Sequence, residues 1–259
     1  MHDVIVQLGR DHDQWGRFSL ETGAAGRTAV ACSVGSDLDS PSMQSKGRAD
    51  QPNEDAVLAR DEGPRTLLAV ADAHHGIDSS HDLIESLATI PMPTDFAALT
   101  HALMDIEPVP RKGQSSSTLL VAVVDREQGE GYGLSFGDSS LVRLGPQGAH
   151  VVNVRRAQFV HLRTHGGLDP DLAHGFRFFL EPGELVLAFT DGINECHYRS
   201  PETSIRAVHL EELFAEHGAH PGAFAPALAQ LALDGVDGHP GGQDNLALAV
   251  TRIAPEPAA

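Results

Sequence analysis

The chain has 259 residues, of which 41% are hydrophobic and 21% charged, and its formal net charge is −18. That length allows one large domain or two small ones with a sizeable core, and the charge excludes nucleic acid and anionic membranes as general partners. No apolar run reaches the ~18 residues needed to span a bilayer, and two cysteines, Cys32 and Cys196, make no disulfide framework, so a cytoplasmic monomer is expected.

Residues 1–28 are polar and glycine-rich without a clear period, and they read as a ragged leader or an edge strand. They lack the long apolar stretch of a signal peptide. The main domain is expected over residues 29–253, followed by a frayed tail over 254–259. Short apolar runs bounded by Gly, Asp, Ser or Pro predict strands at Thr28–Val34, Ala56–Ala59, Thr66–Ala71, Thr118–Val124, Tyr132–Phe136, Leu141–Leu144, Leu185–Phe189 and Leu246–Val250. Several connections are short enough for hairpins, which favours antiparallel pairing.

Four helices interrupt the strands. The first, "SSHDLIESLATI", offers Ser79 as N-cap with Asp82 three residues on, and Leu83, Ile84, Leu87 and Ile90 share one face. The second starts at Thr94 and places Phe96, Leu99 and Leu103 on one stripe. "HLEELFAEHG" closes at Gly218 and "GAFAPALAQLALDG" at Gly235. Two helices, a run of strands and two more helices predict an α+β fold with sheets covered by helices on the outside. The basic residues are nearly all arginine, with only Lys46 and Lys112 as lysines, and no function is read from that.

The acids carry the chemical signal. Asp72 ends "TLLAVAD", Asp191 ends "ELVLAFTD", Asp138 follows "GYGLSFG", Asp244 precedes "NLALAV", and Glu54 and Asp55 precede "AVLAR". In antiparallel pairs the end of one strand lies beside the start of the next, so these acids can gather at one rim. Gathered carboxylates repel and need a compensating charge, which hard divalent cations with oxygen ligands supply. Singly, each acid is an ordinary turn or loop residue, and only the joint pattern points to a metal.

Six segments, in order, resemble the type 2C metal-dependent protein phosphatases: "NEDA" (53–56), "VADAHHG" (70–76), "SSSTL" (115–119), "GDSSLVRL" (137–144), "FTDGINE" (189–195) and "GGQDNLALAV" (241–250). The resemblance implies a four-layer α-β-β-α sandwich of two antiparallel sheets flanked by helices. It implies hydrolysis of phosphoserine and phosphothreonine monoesters on a phosphorylated protein, at a centre of two Mn²⁺ or Mg²⁺ ions roughly 3.5–4 Å apart, with a weaker third. Carried over, Asp72 bridges the two metals, the Ala73 carbonyl binds the second, and Asp191 and Asp244 complete the first. Asp138 and Asp191 hold the third ion. Glu54 and Asp55 orient metal-bound water, and His74 is the general acid.

Three positions depart from the family pattern. Ala73 replaces a glycine, and would be strained by roughly 1–2 kcal/mol if the backbone there needs positive φ. His75 also replaces a glycine and has no assigned role. The family's phosphate-binding arginine falls at Asp50, with Arg48 nearby as its substitute.

Three other readings compete. A pseudophosphatase of the same fold would bind a partner without turnover. A serine hydrolase would use Ser135 of "GLSFG", provided that serine sits on a strand–turn–helix elbow. Zinc at His161 and His165 needs a helix and a further ligand, neither of which the sequence offers.

Overall fold

Along "RTLLAVADAH", Leu67, Ala69 and Ala71 point one way and Leu68 and Val70 the other, and both sets are fully buried. A strand buried on both faces must have a layer above it and a layer below. The same holds for "TAVACS", where Ala29 and Ala31 join one core cluster and Val30 and Cys32 another. The computed structural model describes residues 2–46, 50–106, 115–155, 160, 168 and 172–253.

Two antiparallel sheets result. The first contains β1 (His2–Leu8), β4 (Asp55–Glu62), β5 (Arg65–His74), β7 (Leu119–Asp125), β8 (Glu130–Phe136) and β11 (His174–Phe179), adjacent in that order, with the short β6 (Ser116–Ser117) on the end of β5. The second runs β10 (Gly148–Val151), β9 (Ser140–Gly145), β12 (Leu185–Phe189), β13 (Leu246–Arg252), β3 (Thr28–Ser33) and β2 (Phe18–Thr22). Helices α2 (Asp78–Thr89) and α3 (Phe96–Met104) cover the first sheet, and α4 (Ala207–His217) and α5 (Pro221–Asp234) cover the second. A short α1 (Pro41–Ser45) follows β3.

Three apolar layers hold these four together. Leu83, Ile84, Leu87, Leu99 and Leu103 pack on the outside of the first sheet. Phe224, Leu228 and Ala232 pack on the outside of the second. Between the sheets lie mostly small side chains such as Val57, Val70, Ala122, Val186, Ala188 and Ala249, which let the sheets approach closely. Each fully buried leucine contributes roughly 1.5–3 kcal/mol. Among the described residues no helix is long and apolar enough to cross a membrane.

The expected four-layer sandwich is present, and all eight expected strands are found with small shifts at their ends. Within the first 28 residues, β1 and β2 each form the edge of a sheet: β1 pairs with β4, and β2 with β3. Two helix starts differ from expectation. α2 begins at Asp78 with Ile77 as N-cap and no side-chain cap, because its serines serve the neighbouring loops. The Ser79 amide donates to Ser115 Oγ (3.3 Å), and the Ser80 hydroxyl donates to the Glu54 carbonyl (2.5 Å). α3 is capped by Asp95, whose Oδ1 accepts from the Ala98 amide at 2.8 Å, one residue later than Thr94.

Candidate metal centre at the sheet rim

Asp55 begins β4 directly opposite Asp72 near the end of β5. Asp191 follows β12 by two residues, Asp244 precedes β13 by two, and Asp138 follows β8 by two. The pairing of the strands therefore delivers acids from both sheets to one rim.

Local hydrogen bonds fix Asp72, Asp55 and Glu54. The Asp72 amide donates to Thr118 Oγ1 (3.0 Å), and its carbonyl accepts from the Thr118 amide (2.8 Å) and the Ser117 hydroxyl (3.0 Å). The "SSST" segment thus clamps the backbone at Asp72 from both sides. Thr190 links the sheets: its hydroxyl donates to Asp55 Oδ2 at 2.6 Å and accepts from the Ala247 amide at 2.9 Å. Asn245 makes a second link, accepting from the Glu54 amide (2.8 Å) and donating to the Val34 carbonyl (3.0 Å). Gly192 is required here, because a Cβ would collide with the Asn245 carbonyl oxygen. Glu54 Oε1 accepts from the Gly76 amide at 2.5 Å.

A cavity of about 290 Å³ lies at this rim. Glu54, Asp72, Ala73, His74, Asp191 and Asp244 line it, so six of the expected site residues meet there. Asp55 and Asp138 stand behind and beside it, within electrostatic reach of Asp72 and Asp191. Burial raises the carboxyl of Asp55 to about 7, against the opposing pull of Lys46 and Thr190. Burial, and then the neighbouring acids, hold Asp72 and Asp191 well above the usual carboxylate range. Burial, and then Lys46, lower His74.

Lys46 was not anticipated as a site residue. Its Nζ lies 2.9 Å from Asp244 Oδ1 and 3.9 Å from Glu54 Oε2, and its side chain is only 9% exposed. Burial opposes its charge, but Asp244, Asp72, Asp55 and Glu54 outweigh burial and hold the ammonium well above its ordinary range. Glu195, Tyr198 and Arg199 also line the cavity unanticipated, with the Arg199 guanidinium 5.0 Å over the Tyr198 ring. Glu195 stood within a quoted motif. Lys46 had only its rarity as a lysine to mark it.

Among the described residues, Asp55, Asp72, Asp138 and Asp191 each keep a buried Oδ1 with no hydrogen-bond partner. An ionised carboxylate only accepts, and an unmatched buried charge is costly, so these oxygens fit a cation. An all-oxygen donor set suits Mg²⁺ or Mn²⁺ rather than zinc. Among the described residues no three His, Cys, Asp or Glu side chains close around one point as a finished metal shell; the Lys46 ammonium stands among the acids instead.

Ala73 lies in extended β5, paired with Ser117, so the strain expected there is absent. The left-handed backbone falls at His75 (φ 67°) and Gly76 (φ 124°) instead. Ser135 is buried inside β8, paired on both sides, which excludes the nucleophile elbow. Asp50 is exposed. Arg48, His161 and His165 lie outside the described residues. A larger groove of about 680 Å³ between α2 and α3 carries one acid, Asp105, and no comparable cluster.

The family model for Stage II sporulation protein E (SpoIIE) matches residues 65–254, well over half the chain. No curated protein matches in sequence. Among solved structures, the serine/threonine phosphatase PstP/Ppp of Mycobacterium tuberculosis aligns at 19% identity and TM-score 0.64, over 88% of this chain and 98% of that one. The PstP catalytic domain in complex with two manganese ions aligns at 19% identity and TM-score 0.64, over 92% and 100%. PppA, a regulatory component of the type VI secretion system of Pseudomonas aeruginosa, aligns at 21% and TM-score 0.58, over 87% and 97%. These structures share the two-sheet sandwich, the fold of type 2C serine/threonine phosphatases, and the family-model match shows that the chain belongs to the SpoIIE family.

Proposed function

We propose that this chain hydrolyses phosphoserine or phosphothreonine monoesters on a protein substrate, using two Mn²⁺ or Mg²⁺ ions. The observation that carries the reading is the set of four buried carboxylate oxygens without a donor, delivered to one rim by strands of both sheets. Asp72, Asp191, Asp244 and the Ala73 carbonyl would hold the two ions, and Asp138 with Asp191 a third. Bound there, such ions lower the pKa of water and offset the charge of the phosphoryl group.

The chain's own residues supply the rest. Thr190 keeps Asp55 turned into the rim, and Asn245 and Gly76 fix Glu54, so both acids can orient water. His74 lines the cavity and is the proton donor to the departing serine or threonine oxygen. Arg199 at the cavity wall provides the positive group that a phosphate needs on a chain of net charge −18, a role that the sequence-based expectation gave to Arg48.

The test is hydrolysis of p-nitrophenyl phosphate and of a phosphothreonine peptide with Mn²⁺, with chelator, and by Asp191→Asn. Turnover by the wild type that chelator abolishes supports the reading. Absence of metal-dependent turnover gives the case to the second reading, a pseudophosphatase acting as a binding module. One observation favours that rival: Lys46 already occupies Asp244. Replacing His74 with Asn separates its role from a structural one. A proton donor matters most for a poor leaving group, so the peptide should suffer much more than p-nitrophenyl phosphate.

A further inference from the structure

The position of Lys46 is held from two directions. Ser40, the cap of α1, accepts from the Met43 amide at 3.3 Å and donates its hydroxyl to the Gln243 carbonyl at 2.8 Å. Gln243 immediately precedes Asp244, so the helix that ends at Ser45 is fastened to the segment that carries Lys46's partner. The Lys46 amide in turn donates to the Met43 carbonyl at 3.4 Å. The lysine therefore enters the acidic rim from a tethered base.

We propose that Lys46 is a built-in competitor for the metal: its ammonium must leave Asp244 before Asp244 can take a divalent cation, which weakens metal binding relative to the same acids without the lysine. This rests on the metal-dependent reading above and deepens it. A cation on Asp244 and an ammonium 2.9 Å from the same oxygen would stand close together in a buried site, where like charges repel strongly. Lys46 nevertheless does not replace the metal. Among the described residues, buried oxygens of Asp55, Asp72 and Asp191 stay without a donor while it is present, so one ammonium satisfies only part of the rim. The result is a centre that is partly neutralised without metal and that fills only when the metal concentration is high enough to displace the lysine.

The test is calorimetric titration of the wild-type chain, Lys46→Met and Lys46→Gln with Mn²⁺, each first shown to fold by its melting transition. The expected result is Mn²⁺ affinity at least about tenfold higher in both variants, the scale set by loss of one close charge contact. Equal or weaker affinity in folded variants would overturn the proposal while leaving the metal-dependent reading intact. No Mn²⁺ uptake by any of the three would sink both together.

A second measurement needs no variant. Lys46 and Lys112 are the two lysines of the chain, so amine acetylation read by mass spectrometry reports Lys46 with Lys112 as internal reference. Saturating Mn²⁺ should raise Lys46 labelling severalfold relative to Lys112. An unchanged or lower ratio would contradict displacement.

Discussion

The two ends of the strands treat buried acids in opposite ways. At the end away from the cavity each acid has its own arginine. Arg65 Nε meets Asp125 Oδ2 at 2.7 Å, Arg126 reaches Asp61 at 3.3 Å, and Arg143 grips Glu184 with two bonds of 2.7 and 3.0 Å. At the cavity end Lys46 stands among Glu54, Asp55, Asp72, Asp191 and Asp244, and among the described residues several buried aspartate oxygens have no donor. Both ends are built from the same strands, so the fold does not dictate the difference. Fully paired acids hold the sheets together, whereas incompletely paired ones keep capacity for a ligand.

Removing an acid at the cavity end should cost function. Asp191→Asn should lower phosphatase turnover at least about 100-fold, since even groups that only orient metal ligands are worth 10–100-fold. Its metal-free melting temperature should not fall, because the substitution relieves repulsion; a drop of many degrees would mean that Asp191 is a structural acid like Glu184. Removing a partner at the far end should cost stability instead. Arg143→Ala leaves Glu184 buried without its cation and should destabilise by about 3 kcal/mol in denaturant unfolding, with metal affinity unchanged.

A third region, the inner face of α2, sharpens the contrast through pH. His81 is buried, and burial, then Arg10, lower it to about 4 from an ordinary 6.5. A histidine whose folded pKa is depressed binds its proton more readily when unfolded. Its contribution is therefore complete above about 6.5 and is lost as pH falls toward 4. Wild type should lose roughly 2 kcal/mol more than His81→Leu between pH 7 and pH 4.5, measured by unfolding at each pH. Equal losses would show that His81 does not titrate in this way. The smallest effect is expected for Thr190→Val, which frees Asp55 Oδ2: turnover should fall roughly tenfold, with the Mn²⁺ stoichiometry retained.

Much of this was legible in the sequence, for a physical reason. Strands buried on both faces read as unbroken apolar runs, so β5, β7, β12 and β13 announce themselves, and acids that stop such runs stand out against them. Weaker elements hide. β11 alternates buried Phe176 and Phe178 with exposed Arg177 and Phe179, so it offers no unbroken apolar run. β1 buries Ile5 but exposes Val4, which blurs its period. Ser79 looked like a cap because the signature is local, whereas its actual partner, Ser115, is 36 residues away. Lys46 had no pattern at all: it lies in a loop, and long-range bonds such as those from Ser40 to the Gln243 carbonyl and from Gln243 to Asp37 bring its base to Asp244.

The central claim is that the rim acids are left partly unpaired in order to take divalent cations. Equilibrium titration of the wild-type chain with Mn²⁺, reading bound ions per chain together with the shift in melting temperature, tests it most directly. Uptake of two ions with a rise in melting temperature that chelator reverses is the predicted result. A chain that melts at the same temperature and binds no manganese at millimolar concentration would contradict it.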